Sequence, residues 1–479
     1  ARETAEHLIE RYQDRHLADR VFDLAWTHNQ VVLQQLGLSE AQAQEYERLA
    51  GSVIFANAAM RADTGVILRN RRGQSGLWGY AISGDLPIVL LQIADLANLG
   101  LVRQLLQARA YWRLKGLVVD LVIWTEDQSG YRQQLHDAIM GLIAAGVEAN
   151  VLDRPGGIFV RHADHISLED RLLLQSVARI ILVDSRGSLS EQLKRRRAPE
   201  SAIPELQPVT TRAPVARAAT ISPRADLILT NHIGGFTRDG REYVVTLTPG
   251  RTTPAPWVNV LANAQFGTVV SENGGGYTWC ENAHEFRVTP WHDDPVTDES
   301  GEAFYLRDEE TGRFWSPTPL PAPGGGSYVS RHGFGYSVFE HDTAGIYSET
   351  TVYVATDAPV KFSVLKVRND SGQARRLSVT GYVEWVLGDL RPKCAMHVTT
   401  EIDAATGALV ARNPYNSEFP DRVAFFDVDE TSRTVTGDRA EFVGRNGSLQ
   451  QPAAMTRARL SGRVGAALDP CAAIQVGFE

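Results

Sequence analysis

The sequence predicts a multidomain α+β protein: a helical lead-in and a small α/β unit, followed by a large antiparallel β-sandwich. Three observations carry this. Helical periodicity at the start gives way to alternating buried runs and amphipathic helices, which implies parallel strands with crossover helices. A proline-rich stretch then interrupts all periodicity. Beyond it, short runs rich in Val, Thr, Tyr and Phe are separated by Gly, Asp and Asn turns, the pattern of an antiparallel sandwich.

Within residues 1–75, Val21, Leu24, Ala25 and His28 recur at helical spacing. Ser39 followed by Gln42 has the form of a capping box. Two or three amphipathic helices are expected there. Residues 76–194 form the predicted α/β domain. Leu117 to Trp124, Gly157 to Arg161 and Arg179 to Val183 read as strands, with a helix through Tyr131 to Ala145 and another starting at Ser167. The segment from Gly76 to Asp85, rich in glycine and aromatics, is expected to be a loop packed on another domain, with Asp85 capping a following helix. Asp184, Ser185 and Arg186 follow a buried run, the usual place for a site in an α/β unit, but no glycine fingerprint accompanies them. No nucleotide or other cofactor is expected.

Residues 195–224 hold Pro199, Pro204, Pro208, Pro214 and Pro223 and read as a linker, because proline blocks helix propagation and ladder bonding. The basic run Lys194 to Arg197 beside it reads as solvated linker. Residues 225–479 are the predicted sandwich. Tyr243 to Thr248, Val352 to Ala355, Phe362 to Arg368, Leu377 to Leu387 and Val423 to Val428 are its clearest strands, with turns at Asn369 to Gly372 and Ala404 to Gly407.

A net charge of -9 and a pI near 5.8 argue against nucleic acid as a partner. Cys280, Cys394 and Cys471 lack paired spacing, so neither a zinc site nor a disulfide framework is indicated and reduced thiols are expected. Apolar runs such as Ile88 to Leu91 fall far short of the roughly 20 residues that span a bilayer. Ala1 falls on helical sequence and Glu479 follows the strand-like run Ala473 to Phe478, so the chain is expected to be a piece of a longer protein.

The segment Ser271 to Pro321 is dense in Trp, Tyr, His, Asp and Glu. Aromatic faces stack on sugar rings while carboxylates bond hydroxyls, so this mixture suits a glycan site. Each residue also has a plainer reading. Trp279 and Trp315 fit buried packing better than ligand contact, since aromatics in sandwiches are more often core, and Gly274 to Gly276 fit a tight turn rather than a phosphate loop. Glu281, His284, His292, Asp293 and Asp294 match no metal spacing, so no metal is expected. Arg307 and Asp308 could form a structural ion pair with each other. Asp293, Asp294, Glu299 and Glu302 could instead supply an acid/base pair for glycoside cleavage, a question of separation in space.

ENGGGYTWCENAHEFRVTPWHDDPVTDESGEAFYLRDEETGRFWSPTPLP, SRHGFGYSVFEH, VKFSVLKVRNDSGQARRLSVTGYVEWVLGD and ARNPYNSEF closely resemble the glycoside hydrolase family 94 region of cyclic β-1,2-glucan synthases of the nodule-development type. SGLWGYAISGDLPIVLLQIADL and ARAYWRLKGLVVDLVIWTED resemble the stretch that precedes it. The resemblance implies a supersandwich of the cellobiose phosphorylase type, truncated before the (α/α)6 barrel that carries the general acid and the phosphate site. No catalytic residue is carried over.

It further implies a noncatalytic, carbohydrate-contacting role beside an inverting phosphorolysis or chain-length-control module. The partners expected are a β-glucan or oligosaccharide, the missing barrel and a second copy as homodimer, in a parent at the bacterial inner membrane with this portion facing the cytoplasm. The residues expected to face glycan or an interface are Tyr277, Trp279, Glu281, His284, Arg287 and Trp291, together with His292, Asp293, Arg307, Asp308 and Trp315. The competing expectations are an autonomous glycoside-cleaving enzyme using carboxylates in 293–302, and a purely structural spacer.

Overall fold

The computed structural model describes residues 2–126, 132–146, 151–194, 203–209 and 224–479. Two compact units divide the chain, Ala1–Ala198 and Pro199–Glu479. Most of the predicted linker, and Tyr131 of the predicted helix, lie outside the described residues. Residues 203–209 are described, and they do not hang free. Glu205 bridges Arg457, and Leu206 N donates to Thr456 O at 2.9 Å. Pro204 and Pro208 flank this short pairing at positions where no ladder donor is needed.

The first unit begins with helices Arg2–Tyr12, His16–Leu36 and Glu40–Ile54. The capping box at Ser39 is present, its hydroxyl accepting from Gln42 N while the Gln42 side chain accepts from Ser39 N. The apolar spacing of the second helix does not translate into burial: only Val32 and Leu33 are buried on it.

Four parallel strands follow: β1 (Ile88–Ile93), β2 (Asp120–Thr125), β3 (Ile158–His162) and β4 (Ile180–Val183), in the order β3-β2-β1-β4. Asp85 therefore precedes a strand rather than capping a helix. The run Ile88–Ile93 is six residues long and apolar except for Gln92, which suits a central strand buried on both faces and is too short for a helix. The segment before it also differs from expectation. Gln74–Tyr80 is a 3-10 turn packed on the helix Leu168–Val177 of its own unit. Gly76 allows this approach, since a Cβ there would meet Leu173 Cδ2 at 2.7 Å. Tyr80 donates its hydroxyl to Asp170 at 2.9 Å.

The second unit is antiparallel throughout its named strands. One sheet has six strands: β5 (Gly234–Phe236), β6 (Glu242–Leu247), β12 (Tyr328–Gly333), β13 (Tyr336–Thr343), β14 (Ile346–Val354) and β15 (Lys361–Asn369), with β15 and β5 at its edges. A three-stranded sheet of β7 (Val258–Ala262), β8 (Phe266–Ser271) and β9 (Gly276–Cys280) packs Leu261 and Val270 on Phe339 and Val352 of the six-stranded sheet. A five-stranded sheet takes the order β11-β10-β16-β21-β20, from β10 (Glu302–Asp308), β11 (Phe314–Trp315), β16 (Leu377–Glu384), β20 (Arg433–Asp438) and β21 (Pro470–Phe478). The last sheet is β17 (Thr399–Ile402), β18 (Leu409–Arg412) and β19 (Val423–Phe426).

Register decides what lies on each face of the five-stranded sheet. Leu306, Phe304 and Glu302 of β10 stand opposite Val379, Gly381 and Val383 of β16, so all six share one face. At one end of that face Leu306, Leu377 and Val379 pack under Ile346 and Leu365 of the six-stranded sheet. Toward β20, Ala472, Ile474 and Val435 pack under Leu409 and Ala411 of β18. The opposite face buries Ala303, Tyr305, Tyr382 and Phe442 in a separate core.

Candidate functional site

Glu302, Phe304 and Val383 lie between the two covering sheets and form part of a cleft of about 460 Å³. Its sides are the edge strands β15 and β19, with Lys361 and Ser363 from one and Val423 to Phe426 from the other, and strands β8 and β9, with Phe266, Thr278 and Cys280. The volume falls in the range of small-molecule sites.

Period-2 alternation along β9 splits the predicted site in two. Thr278 and Cys280 pair with Thr268 and Phe266 and face the cleft. Tyr277 and Trp279 take the other face. Gly267, opposite Trp279, leaves room for the indole, whose ring occupies the space a Cβ would fill. Tyr277 packs on Trp291 with ring centroids 4.7 Å apart and on Trp279 at 5.4 Å. Trp279 and Trp291 are half-buried, so this aromatic group is partly open to solvent.

Inside the cleft the main polar feature is an ion pair. Lys361 Nζ bonds Glu302 Oε2, and both side chains are largely buried, at 17% and 15% exposure. Thr278 and Thr289 each donate a hydroxyl to Glu302 Oε1 at 2.6 Å. Lys361 also donates to Thr268 at 3.1 Å. Burial alone would raise the Glu302 pKa, but the Lys361 charge and these hydrogen bonds outweigh it and hold the carboxyl below its ordinary value. Glu302 is therefore a fixed, neutralised carboxylate. At the rim, Glu281 pairs with Arg422. Cys280 is half-buried, and burial, followed by the Glu281 charge, raises its thiol pKa, against the opposing pull of Arg422.

The remaining predicted residues scatter. His284 is exposed, its Nδ1 2.8 Å from Glu285 Oε1. Arg287 is half-buried and its backbone bridges Trp279 and Gly388. His292 and Asp293 are exposed in the loop after Trp291, and Asp294 folds that loop by accepting from Val296 N at 2.9 Å and from the Thr297 hydroxyl at 2.6 Å.

Arg307, Asp308 and Trp315 are interior, at 1%, 1% and 5% exposure, so none of them presents a surface. Nor do Arg307 and Asp308 pair with each other. As neighbours on β10 they point to opposite faces, so Arg307 bonds Glu309 at 2.8 Å and the carbonyls of Met455 and Arg457, whereas Asp308 bonds Arg375. Trp315 packs with Leu306 and Ile346.

Lys361 was missed by sequence reasoning. Its signal is parity: along β15, Lys361 shares its half-buried face with Ser363, Leu365 and Val367, an inward position that a lysine occupies only with a partner. In the first unit, Asp184 Oδ2 accepts from Ala94 N at 2.9 Å and Asp95 N at 3.0 Å, where the strand order reverses between β1 and β4. The crevice where a nucleotide phosphate would sit in such a sheet is thus occupied by the chain's own carboxylate.

Residues 241–479 match the description "Glycosyl hydrolase 94, supersandwich domain". The chain belongs to that family through this domain. Cyclic beta-(1,2)-glucan synthase NdvB of Rhizobium meliloti (strain 1021) is 35% identical over 484 residues, covering 99% of this chain and 17% of that protein. N,N'-diacetylchitobiose phosphorylase of Vibrio furnissii is 32% identical over 256 residues, 51% of this chain and 31% of the relative. Solabiose phosphorylase of Paenibacillus borealis is 30% identical over 257 residues, again 51% of this chain and 32% of the relative. The chain thus spans less than a third of each of these proteins. The supersandwich is a carbohydrate-related domain shared by glucan synthase and phosphorylase relatives, and the cleft, the Glu302–Lys361 pair and the aromatic group around Tyr277 all lie within it.

Proposed function

We propose that this chain is the noncatalytic, carbohydrate-contacting sandwich portion of a cyclic β-1,2-glucan synthase or β-glucan phosphorylase. In this reading it supports an inverting phosphorolysis or chain-length-control module whose (α/α)6 barrel lies elsewhere in the parent protein, and it contacts the β-glucan through the half-exposed aromatics and the cleft. A homodimer and a cytoplasm-facing position in an inner-membrane parent belong to the same proposal. Among the described residues no helix is long and apolar enough to cross a membrane.

The observation that carries the reading is the state of four carboxylates, Asp293, Asp294, Glu299 and Glu302, within a domain of this family. Glycoside cleavage needs one carboxyl that can give up a proton and a second that faces the reacting carbon. Glu302 is held ionised by Lys361, and Asp294 is bonded into its own loop. Asp293 and Glu299 are exposed on the surface outside the cleft.

Calorimetric titration of the purified chain with β-1,2-gluco-oligosaccharides tests this, with β-1,4 oligomers as control, phosphate present and products separated by chromatography. Selective binding without product is expected. Product formation that Asp294→Asn abolishes would instead establish an autonomous enzyme, and neither heat nor product would leave a spacer.

A further inference from the structure

The geometry points to the cleft between β15 and β19 as a binding site for a neutral β-linked glucosyl unit, separate from the aromatic group on the far face of β9. This rests on the carbohydrate-contacting reading above and assigns it a place.

Two features select the ligand. The walls are aromatic, with Phe266, Phe304, Phe425 and Trp385 among the lining residues, and a pyranose ring presents apolar C–H faces to such walls. The polar groups lining it include the Glu302 carboxylate and the Thr278 and Thr289 hydroxyls, oxygen acceptors suited to sugar hydroxyls.

Charge excludes the obvious rival, an anionic amphiphile such as a fatty acid. The cations that line the cleft are Lys361 and Arg422, and each is already paired, with Glu302 and Glu281 respectively. Asp421 adds a further negative charge, so a carboxylate or phosphate headgroup would be desolvated with no free partner. A neutral hydroxylated ring meets no such penalty.

The gap also has a structural origin. Gly381 stands opposite the lining residue Phe304, and a Cβ there would meet Phe426 Cζ at 2.8 Å and Phe304 Cε1 at 3.1 Å. Any larger residue would have to displace these two lining rings.

Cys280 gives a direct probe. It lines the cleft and is half-buried, whereas Cys394 and Cys471 are buried at 8% and 0% exposure. The experiment follows alkylation of Cys280 in the full chain by a neutral maleimide, read by peptide mass, with and without sophorose or longer β-1,2-gluco-oligosaccharides. Calorimetry with the same sugars runs alongside. Saturable protection of about tenfold is expected when ligand exceeds its dissociation constant about ninefold. Ser363→Phe, which fills the cleft, is expected to abolish protection and binding together.

Saccharide binding by calorimetry without protection of Cys280 overturns the cleft assignment and leaves the carbohydrate reading intact. Protection by decanol but not by the sugars overturns the ligand class. Absence of saccharide binding by either measurement overturns both. Because protection is read on the unaltered chain, the result does not depend on whether Ser363→Phe folds.

Discussion

Replacing Lys361 with methionine removes the cation paired with Glu302 while keeping most of the side-chain volume. Glu302 would retain the two threonine hydroxyls at 2.6 Å but lose its neutralising charge at 15% exposure. Breaking a buried pair by removing one partner costs roughly 3–5 kcal/mol, and the surviving hydroxyl bonds argue for the lower end, about 3 kcal/mol. The double variant Lys361→Met with Glu302→Gln removes the stranded charge and keeps an acceptor for both threonines, so it is expected to recover about 2 kcal/mol of that loss.

The pH dependence has a definite sign. In the native protein the Glu302 pKa lies below its unfolded value of 4.5, so its contribution is present above that pH and is lost as pH falls through the lower folded value. Without Lys361 burial dominates and the folded pKa rises above the unfolded one, so stability is lost as pH rises through it. The cost of Lys361→Met should therefore be largest near neutrality and shrink toward pH 4. Urea titrations followed by hydrogen–deuterium exchange in peptides from β10 and β16 measure it locally. A loss under about 1 kcal/mol at neutral pH, or an equal loss at both pH values, would refute the claim that Lys361 neutralises a desolvated carboxylate.

Arg307→Met removes bonds to Glu309 and to the carbonyls of Met455 and Arg457, so a loss of about 3 kcal/mol is expected in denaturant titration. Saccharide affinity per folded molecule should not change, because the guanidinium is interior; a specific loss of affinity would restore Arg307 as a ligand contact. Asp184→Ala leaves the Ala94 and Asp95 N–H groups without their acceptor and should cost the α/β unit about 1–2 kcal/mol, seen as faster exchange after β1 with β10 unaffected. Gly381→Ala forces Phe426 and Phe304 aside and should destabilise the sandwich by about 1–3 kcal/mol, measured by thermal melting; an unchanged melt would mean the floor has slack.

The chain's own amino-acid order determined the class of each half and the local ends of its elements. Ser39 and Ser167 cap helices because a hydroxyl two or three residues ahead of orphan amides is a local device, legible without any partner. Turns such as Asn369 to Gly372 declare themselves because Gly372 takes φ +72°, which glycine adopts at little cost. The aromatic and acidic density of 271–321 falls on β9 and its surroundings, where the cleft and the aromatic group around Tyr277 lie.

What the sequence could not decide is which side chains share a face. One residue of register separates Thr278, in the cleft, from Trp279, on the far face, and the same alternation sends Arg307 and Asp308 to different partners. The run Ile88–Ile93 became a central strand because β2 and β4 flank it, a fact local pattern does not contain. Above all, the cleft exists because two sheets built from residues 361–369 and 423–426 stop short of each other over Phe304 and Gly381. Lys361 reaches Glu302 across 59 residues of chain. Burial, and with it the fixed charge of that carboxylate, is a property of the packed sheets, and only the tertiary structure supplies it.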